Sequence, residues 1–243
     1  MILNIFCKIK SNILFDLFNP LYSSTITLKI KGIGNSYLFG NEVGNNFTGI
    51  KYLKEVKING NVQDTIKYIY HFKQKDNLVE LLFDDNINNC SCMFRKCSNI
   101  TEIDLSNFKT SHIVAVNRMF SFCYSLTSLD LYNFDTSQVK IMYSMFFGCS
   151  SLTSLDLSNF DTSKVTTMNG MFYDCVKLEY LKINNFDESK LIDVNYMFYN
   201  VSSNIVVCMK KINKQSKIYS KLNNAKKCYA IDCTDDSESK KIK

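Results

Sequence analysis

The chain repeats itself every 26 residues, and this period constrains its fold more than any other feature. Met-Phe pairs recur with that step, beginning at Met93, Met119, Met145, Met171 and Met197. The same step separates four cysteines (Cys97, Cys123, Cys149, Cys175) and four Asn-Phe pairs (beginning at Asn107, Asn133, Asn159, Asn185). A fixed step of this length is typical of stacked units, because one unit alone cannot bury its apolar face.

Each unit contains two apolar segments of different spacing. The core of one unit, Leu152/Leu155/Leu157, ends in a period-two alternation that predicts a short strand. Half a unit away, apolar residues follow at steps of three to four: Val165, Met168, Met171, Phe172 and Cys175. That spacing indicates a short helical turn. We therefore predict a leucine-rich-repeat solenoid of the α/β type, with parallel strands and short helical turns.

The repeat and its flanks divide the chain into four predicted parts. Residues 1–24 form an N-terminal segment, read as either a helix or a degenerate signal, and 25–77 form a small β-rich cap. Residues 78–209 form the solenoid, with four full 26-residue repeats at 93–196 and a shortened first coil containing Leu78, Leu81 and Phe83. Residues 210–243 form a basic C-terminal segment and tail.

Charge and hydropathy argue against two classes of partner. The net charge is +6, but residues 201–243 hold 10 basic and 4 acidic residues and so carry the whole excess. A solvated basic tail explains this distribution, and aromatic and basic residues do not interleave as in a nucleic-acid-binding surface. We expect no nucleic-acid partner. No run of eighteen apolar residues occurs, so we expect no transmembrane segment.

Catalytic and metal-binding patterns are weak. The chain has two histidines, and His112 stands where other units have Gln138, Lys164 and Lys190, which indicates an exposed repeat position. We therefore expect no enzyme and no cofactor. Two ladders of aspartates (Asp104, Asp130, Asp156 and Asp135, Asp161, Asp187) suggest a cation or ligand stripe, or else solvated side chains that accept backbone N–H groups in turns. Lys182 and Lys109 interrupt the ladders, so no continuous metal array is expected.

Nine of the ten cysteines fall into three groups, two of which share Cys97. The four at the repeat position are predicted to be buried thiols, since stacked equivalent side chains lie too far apart for disulfides. Cys90, Cys92 and Cys97 have the spacing C-x-C-x₄-C, but a fourth zinc ligand is not evident. The candidate disulfide cysteines are Cys208, Cys228 and Cys233.

The repeat unit resembles a known family. The stretch Ser151–Cys175, SLTSLDLSNFDTSKVTTMNGMFYDC, is similar to the BspA-like leucine-rich repeat of surface proteins, strongly over 93–200 and weakly over 78–92. The resemblance implies an adhesive role at the cell surface or outside the cell. The chain departs from it in showing no clear secretion signal, lipoprotein motif or C-terminal anchor. We expect a monomer or a fragment of a longer surface protein.

These observations predict a non-enzymatic, surface-exposed leucine-rich-repeat protein that mediates protein–protein contact or cell adhesion through the strand face. Its partner would be a protein or cell-surface macromolecule. The predicted contact residues are Glu102, Asp104, Ser128, Asp130, Ser154, Asp156, Tyr180 and Lys182. The alternative is an intracellular leucine-rich-repeat scaffold or regulator, which the lack of a clear signal peptide favours.

Overall fold

The structure is a computed structural model that describes residues 24–41, 44, 46–209, 216–222 and 226–229. Apart from Ser24, the predicted N-terminal segment lies outside the described residues, and so does most of the predicted C-terminal segment.

The first part of the described chain forms six strands. Their bounds are β1 (Ser24–Lys31), β2 (Gly34–Tyr37), β3 (Leu53–Ile58), β4 (Asn61–Val62), β5 (Ile69–Phe72) and β6 (Asp76–Phe83). A 3₁₀ turn, Thr48–Tyr52, precedes β3. In β1 the alternation is visible in the sequence, because Ile26, Leu28 and Ile30 are buried while Lys29 and Lys31 point to solvent.

The repeat units contribute one short strand each. These strands are β7 (Ile100–Asp104), β8 (Ser128–Asp130), β9 (Ser154–Asp156), β10 (Tyr180–Lys182) and β11 (Val206–Met209). After a 3₁₀ turn at Tyr219–Lys221, the strand β12 (Lys226–Tyr229) follows. The middle leucines Leu155 and Leu181 are buried, whereas Ser154 and Asp156 on either side of Leu155 are exposed.

The sheets are mixed, which overturns the predicted fold class. The largest sheet has the order β4-β3-β6-β1-β7-β8, and all its pairings are antiparallel except β7–β8. A second sheet, β12-β11-β10-β9, is parallel, and β2-β5 is antiparallel. The predicted fold class, a leucine-rich-repeat solenoid with a small β-rich N-terminal cap, is therefore wrong. Because β1 lies between β6 and β7, the strand holding Leu78, Leu81 and Phe83 does not pair with β7.

The predicted helical turns are also wrong: no α-helix occurs among the described residues. The physical reason is a pair of left-handed backbone positions in each unit, for example Arg118 (φ 56°) and Phe122 (φ 63°). A right-handed helix needs negative φ throughout, so these residues divide the segment into consecutive turns. Bonds such as Met119 N–H to Val116 O (3.1 Å) still bring residues three apart to one side, which explains the helix-like spacing.

In each unit, the consecutive turns around the Met-Phe pair form what we call the turn segment, and this side of the units is the turn side. Hydrogen bonds join the turn segments of successive units. Phe120 N–H donates to Met145 O, and Phe146 N–H donates to Met171 O, both at 3.0 Å. The turn segments of neighbouring units also form isolated parallel bridges, including Ala115 with Ile141 and Ile141 with Thr167. Successive units are thus tied together on the turn side as well as along the strands.

A column of phenylalanines fills the interior, and the side chains of all five Met-Phe pairs are buried. The rings of Phe94, Phe120, Phe146, Phe172 and Phe198 stack with centroids 5.6–6.0 Å apart. Phe39 from the N-terminal part adds a ring 6.5 Å from Phe94, and Gly40 N–H donates to Met93 O at 2.9 Å. A Cβ on Gly40 would lie 2.1 Å from Cys92 O, so glycine is required there. The loop at Phe39 and Gly40 therefore packs on the first turn segment as a neighbouring unit would.

Candidate functional site

The predicted contact residues lie on one surface of neighbouring strands, which we call the strand face. On β7 and β8, Glu102 is opposite Ser128 and Asp104 is opposite Asp130. On β9 and β10, Ser154 is opposite Tyr180 and Asp156 is opposite Lys182. Four of the eight residues, Ser128, Asp130, Ser154 and Asp156, form the exposed centre of the strand face.

The strand face is divided in its middle. The strands β8 and β9 belong to different sheets, although they lie next to each other. Thr127 N–H donates to Thr101 O at 2.9 Å, and Glu179 N–H donates to Thr153 O at 2.8 Å, so each half has its own regular hydrogen bonds. The face thus consists of two regular patches that meet at Ser128 and Ser154.

Ion pairs neutralise both ends of the strand face. Lys29 on β1 contacts the carboxylate of Glu102 at 2.5 Å. At the other end, Lys182 Nζ lies 3.1 Å from Asp156 Oδ2. Because both pairs are substantially exposed, they contribute little to the stability of the fold. Of the other two carboxylates on the face, Asp104 and Asp130, both exposed, Asp130 lies on β8, next to the line where the two patches meet.

The aspartates of the strand ladder close turns. The first carboxylate oxygens of Asp104, Asp130 and Asp156 accept the N–H groups of Ser106, Tyr132 and Ser158, each at 2.9 Å. The hydrogen bonds from Ser106 lower the pKa of Asp104. For Asp156, burial acts to raise the pKa, but hydrogen bonds from Ser158 and Lys182 outweigh it and lower the pKa. Asp104 and Asp156 therefore stay ionised in mildly acidic solution.

The second aspartate ladder also closes turns. Asp135, Asp161 and Asp187 each accept the N–H group two residues later, at 2.7–2.9 Å. Hydrogen bonds from Ser163 lower the pKa of Asp161, and those from Ser189 lower the pKa of Asp187. The turn interpretation of this ladder agrees with these contacts. Among the described residues, no group of three or more His, Cys, Asp or Glu side chains is placed to hold a metal ion.

The repeat cysteines are buried free thiols with a defined hydrogen bond, which agrees with the predicted packing role. The Sγ–H groups of Cys123, Cys149 and Cys175 each donate to a phenylalanine carbonyl of the preceding unit at 3.1–3.2 Å. Burial raises the pKa of Cys175 to about 12 and raises the pKa of Cys97 well above its ordinary value. These thiols are therefore poor nucleophiles in the folded chain.

The candidate disulfide cysteines are only partly described. Cys208 is a buried free thiol whose Sγ–H donates to Tyr180 Oη at 3.4 Å. The strand pairing places Cys208 opposite Cys228, whose side chain lies outside the described residues, as does Cys233. The C-x-C-x₄-C cysteines Cys90, Cys92 and Cys97 are also buried free thiols.

The two histidines lie apart from the strand-face contact residues. His112 is exposed in a turn, and His71 Nδ1 is 3.0 Å from Asn35 Oδ1 in the β2–β5 sheet.

Within the described part of the chain, no helix has the length and apolar character needed to cross a membrane.

Sequence reasoning missed an aromatic surface on the turn side. Phe122, Phe147, Tyr173 and Tyr199 form a second ring column outside the core, with successive centroids 4.5–4.9 Å apart. Phe147, Tyr173 and Tyr199 hold one repeat position, but Phe122 comes from the neighbouring position, so the column does not follow the period strictly. The recurring aromatic residues directly after Met-Phe were the available signal.

Comparison with known proteins places the chain in a family. A family model described as "Mycoplasma protein of unknown function, DUF285" matches residues 87–213, just over half of the 243-residue chain. No curated protein and no solved structure matches the chain. The matched region covers the stacked units from the first turn segment to the end of β11. The chain therefore belongs to the DUF285 family of Mycoplasma proteins.

Proposed function

We propose that the chain is a non-enzymatic surface protein of the BspA-like type that binds a protein or cell-surface macromolecule through the strand face. The observation that carries the proposal is the register of β7 with β8 and of β9 with β10, which sets the eight predicted contact side chains in four opposed pairs, two on each patch. Side chains held on paired strands lose little conformational entropy on binding, so more of the contact energy appears as affinity.

The charges of the strand face favour a particular kind of partner. Glu102 and Asp156 already have lysine partners, whereas Asp104 and Asp130 are the other exposed carboxylates, and Asp130 lies on β8 at the border of the two patches. Ser128 and Ser154 supply small hydroxyl groups beside it. A partner surface with a cation or N–H donors facing Asp130 would complement this centre.

The cell-surface location rests on the resemblance of the repeat unit, and labelling of cells tests it. An antibody against residues 93–200 should stain intact, unpermeabilised cells of the organism that produces the chain. Staining that appears only after permeabilisation would contradict the surface assignment. It would favour the alternative, an intracellular scaffold or regulator.

One observation speaks for that alternative. Every cysteine whose side chain is described carries a free thiol: Cys90, Cys92, Cys97, Cys123, Cys149, Cys175 and Cys208. Free thiols are usual in reducing compartments, whereas secreted proteins tend to form disulfides. The labelling experiment separates the two locations directly.

Substitution in the centre of the strand face tests the contact surface. Ser128→Arg combined with Ser154→Arg places two large cations where the patches meet. Binding of the labelled full-length chain to cultured animal cells, measured by flow cytometry, should weaken about tenfold or more, because residues at the centre of an interface contribute most to affinity.

Ser111→Arg combined with His112→Arg is the matched control, since it adds two cations in an exposed turn away from the strands. The control should bind as the parent chain does. Equal binding by both double variants would overturn the assignment of the strand face, and a parent chain that binds no cells would overturn the adhesive role.

A further inference from the structure

The aromatic column on the turn side ends in an exposed pair of tyrosines. Tyr173 and Tyr199 stack with centroids 4.7 Å apart, and Tyr196 meets Tyr199 edge to face at 6.3 Å. Tyr196 is 64% exposed and Tyr199 is 54% exposed. Stacking on Tyr173 restricts the Tyr199 ring, so the two exposed rings form a corner of fixed shape, which we call the tyrosine corner.

Tyr196 has an unfavourable backbone conformation for its residue type. Its φ is 56°, and the equivalent position one unit earlier is Gly170, with a φ of 58°. A left-handed conformation costs a bulky residue free energy that glycine avoids. Because the Tyr196 side chain is largely exposed, burial does not repay this cost. The edge-to-face contact with Tyr199 offsets part of the free-energy cost of the left-handed conformation. The stability of the fold therefore does not require tyrosine at position 196.

Polar groups adjoin the tyrosine corner. Asn200 follows Tyr199 in the chain, and its Nδ2–H donates to Asp174 Oδ1 of the preceding unit at 2.7 Å. This bond fixes an amide and a carboxylate together and leaves Asn200 Oδ1 and Asp174 Oδ2 as acceptors. Asn195, directly before Tyr196, is exposed as well. The exposed rings of Tyr196 and Tyr199 are thus flanked in the chain by the polar residues Asn195 and Asn200.

We propose that the tyrosine corner binds a neutral sugar ring. The positively polarised C–H groups of a pyranose can stack on the negative faces of Tyr196 and Tyr199. Its hydroxyl groups can donate to the acceptor oxygens of Asn200 and Asp174. The carboxylate of Asp174 disfavours a phosphate-bearing ligand such as a nucleic acid. This site is separate from the strand face and does not depend on the function proposed for it.

Saturation-transfer NMR on the full-length chain tests the proposal. The probes are neutral hexasaccharides of N-acetylglucosamine, mannose and galactose, a sialylated oligosaccharide and a single-stranded DNA hexamer. At least one neutral hexasaccharide should bind with a dissociation constant of about 1 mM or below. Tyr199→Ala should weaken that binding about tenfold, since it removes one stacking ring.

Tyr196→Gly separates binding from folding. The variant should also weaken sugar binding, whereas its melting temperature should not fall and should rise by up to about 4 °C, because glycine relieves the left-handed conformation. A structural role for Tyr196 predicts the opposite, a lower melting temperature.

Tyr132→Ala is the matched control, since Tyr132 is 79% exposed in the turn that Asp130 closes. It should bind the sugar as the parent chain does. The proposal is overturned if no neutral hexasaccharide binds, if only the sialylated oligosaccharide or the DNA binds, or if Tyr199→Ala and Tyr132→Ala behave alike.

Discussion

At the scale of single residues, two backbone positions in each unit decide the local structure. Ten residues at these positions have positive φ, one directly before Met and one four residues later: Cys92, Lys96, Arg118, Phe122, Ser144, Gly148, Gly170, Asp174, Tyr196 and Asn200. Eight of them are not glycine, so the sequence carries only a weak signal for the left-handed conformation. The buried side chains at steps of three and four gave a helix-like pattern that consecutive turns satisfy equally well.

Substitution at Gly170 tests this assignment. Gly170→Ala should lower the free energy of unfolding by about 1 kcal/mol, because alanine is strained at the φ of 58°. The nearest atom to the new Cβ is Ser144 Oγ at 3.4 Å, so the loss arises chiefly from the backbone. Urea unfolding measures the difference.

Ser144→Gly is the paired variant, since Ser144 has a φ of 54° at the same position one unit earlier. Its stability should equal or slightly exceed that of the parent chain. If Gly170→Ala were as stable as the parent chain, the turn segment would have a right-handed conformation after all.

At the scale of elements, the period predicted the strands of the repeat units but not the sheet they enter. The leucine spacing placed β8, β9 and β10 within the observed units, because buried side chains must recur with the unit. Insertion of β1 between β6 and β7 is a long-range antiparallel pairing, which no local pattern in Ser24–Lys31 specifies. The leucine spacing predicted which contact residues lie on neighbouring strands, whereas Lys29, the ion-pair partner of Glu102, belongs to the inserted strand β1.

The Asp-Thr-Ser turns provide a test at this scale. Thr162 is fully buried; its Oγ1–H donates to Asp187 O at 3.0 Å and its Oγ1 accepts Asp187 N–H at 2.6 Å. Thr162→Val keeps the shape but removes both bonds between the units. It should lower the free energy of unfolding by about 1–3 kcal/mol, measured by urea unfolding.

Thr166→Val is the control, because Thr166 is only half-buried and its Oγ1–H makes a longer bond, 3.3 Å, to Lys140 O. Its effect should stay below about 0.5 kcal/mol. If the two variants lost similar amounts of unfolding free energy, the hydrogen bonds of Thr162 between units would not contribute specially to stability.

At the scale of the whole molecule, backbone hydrogen bonds connect neighbouring units on two sides, the strand face and the turn side. Strand pairing orders the strand face, and hydrogen bonds between turn segments order the side that carries the tyrosine corner. Phe39 and Gly40 continue the packing at the N-terminal end, so the first six strands and the repeat units share one core. Both proposed binding surfaces depend on this order, because a rigid surface loses less entropy on binding.

Hydrogen–deuterium exchange followed by NMR at single residues tests this order most directly. The amides of Phe120, Phe146 and Phe172 donate to the following unit, so they should be protected to the same degree as those of the strand residues Leu155 and Leu181. Exchange of these three phenylalanine amides at the rate of an open loop, with protection confined to the strands, would contradict the account.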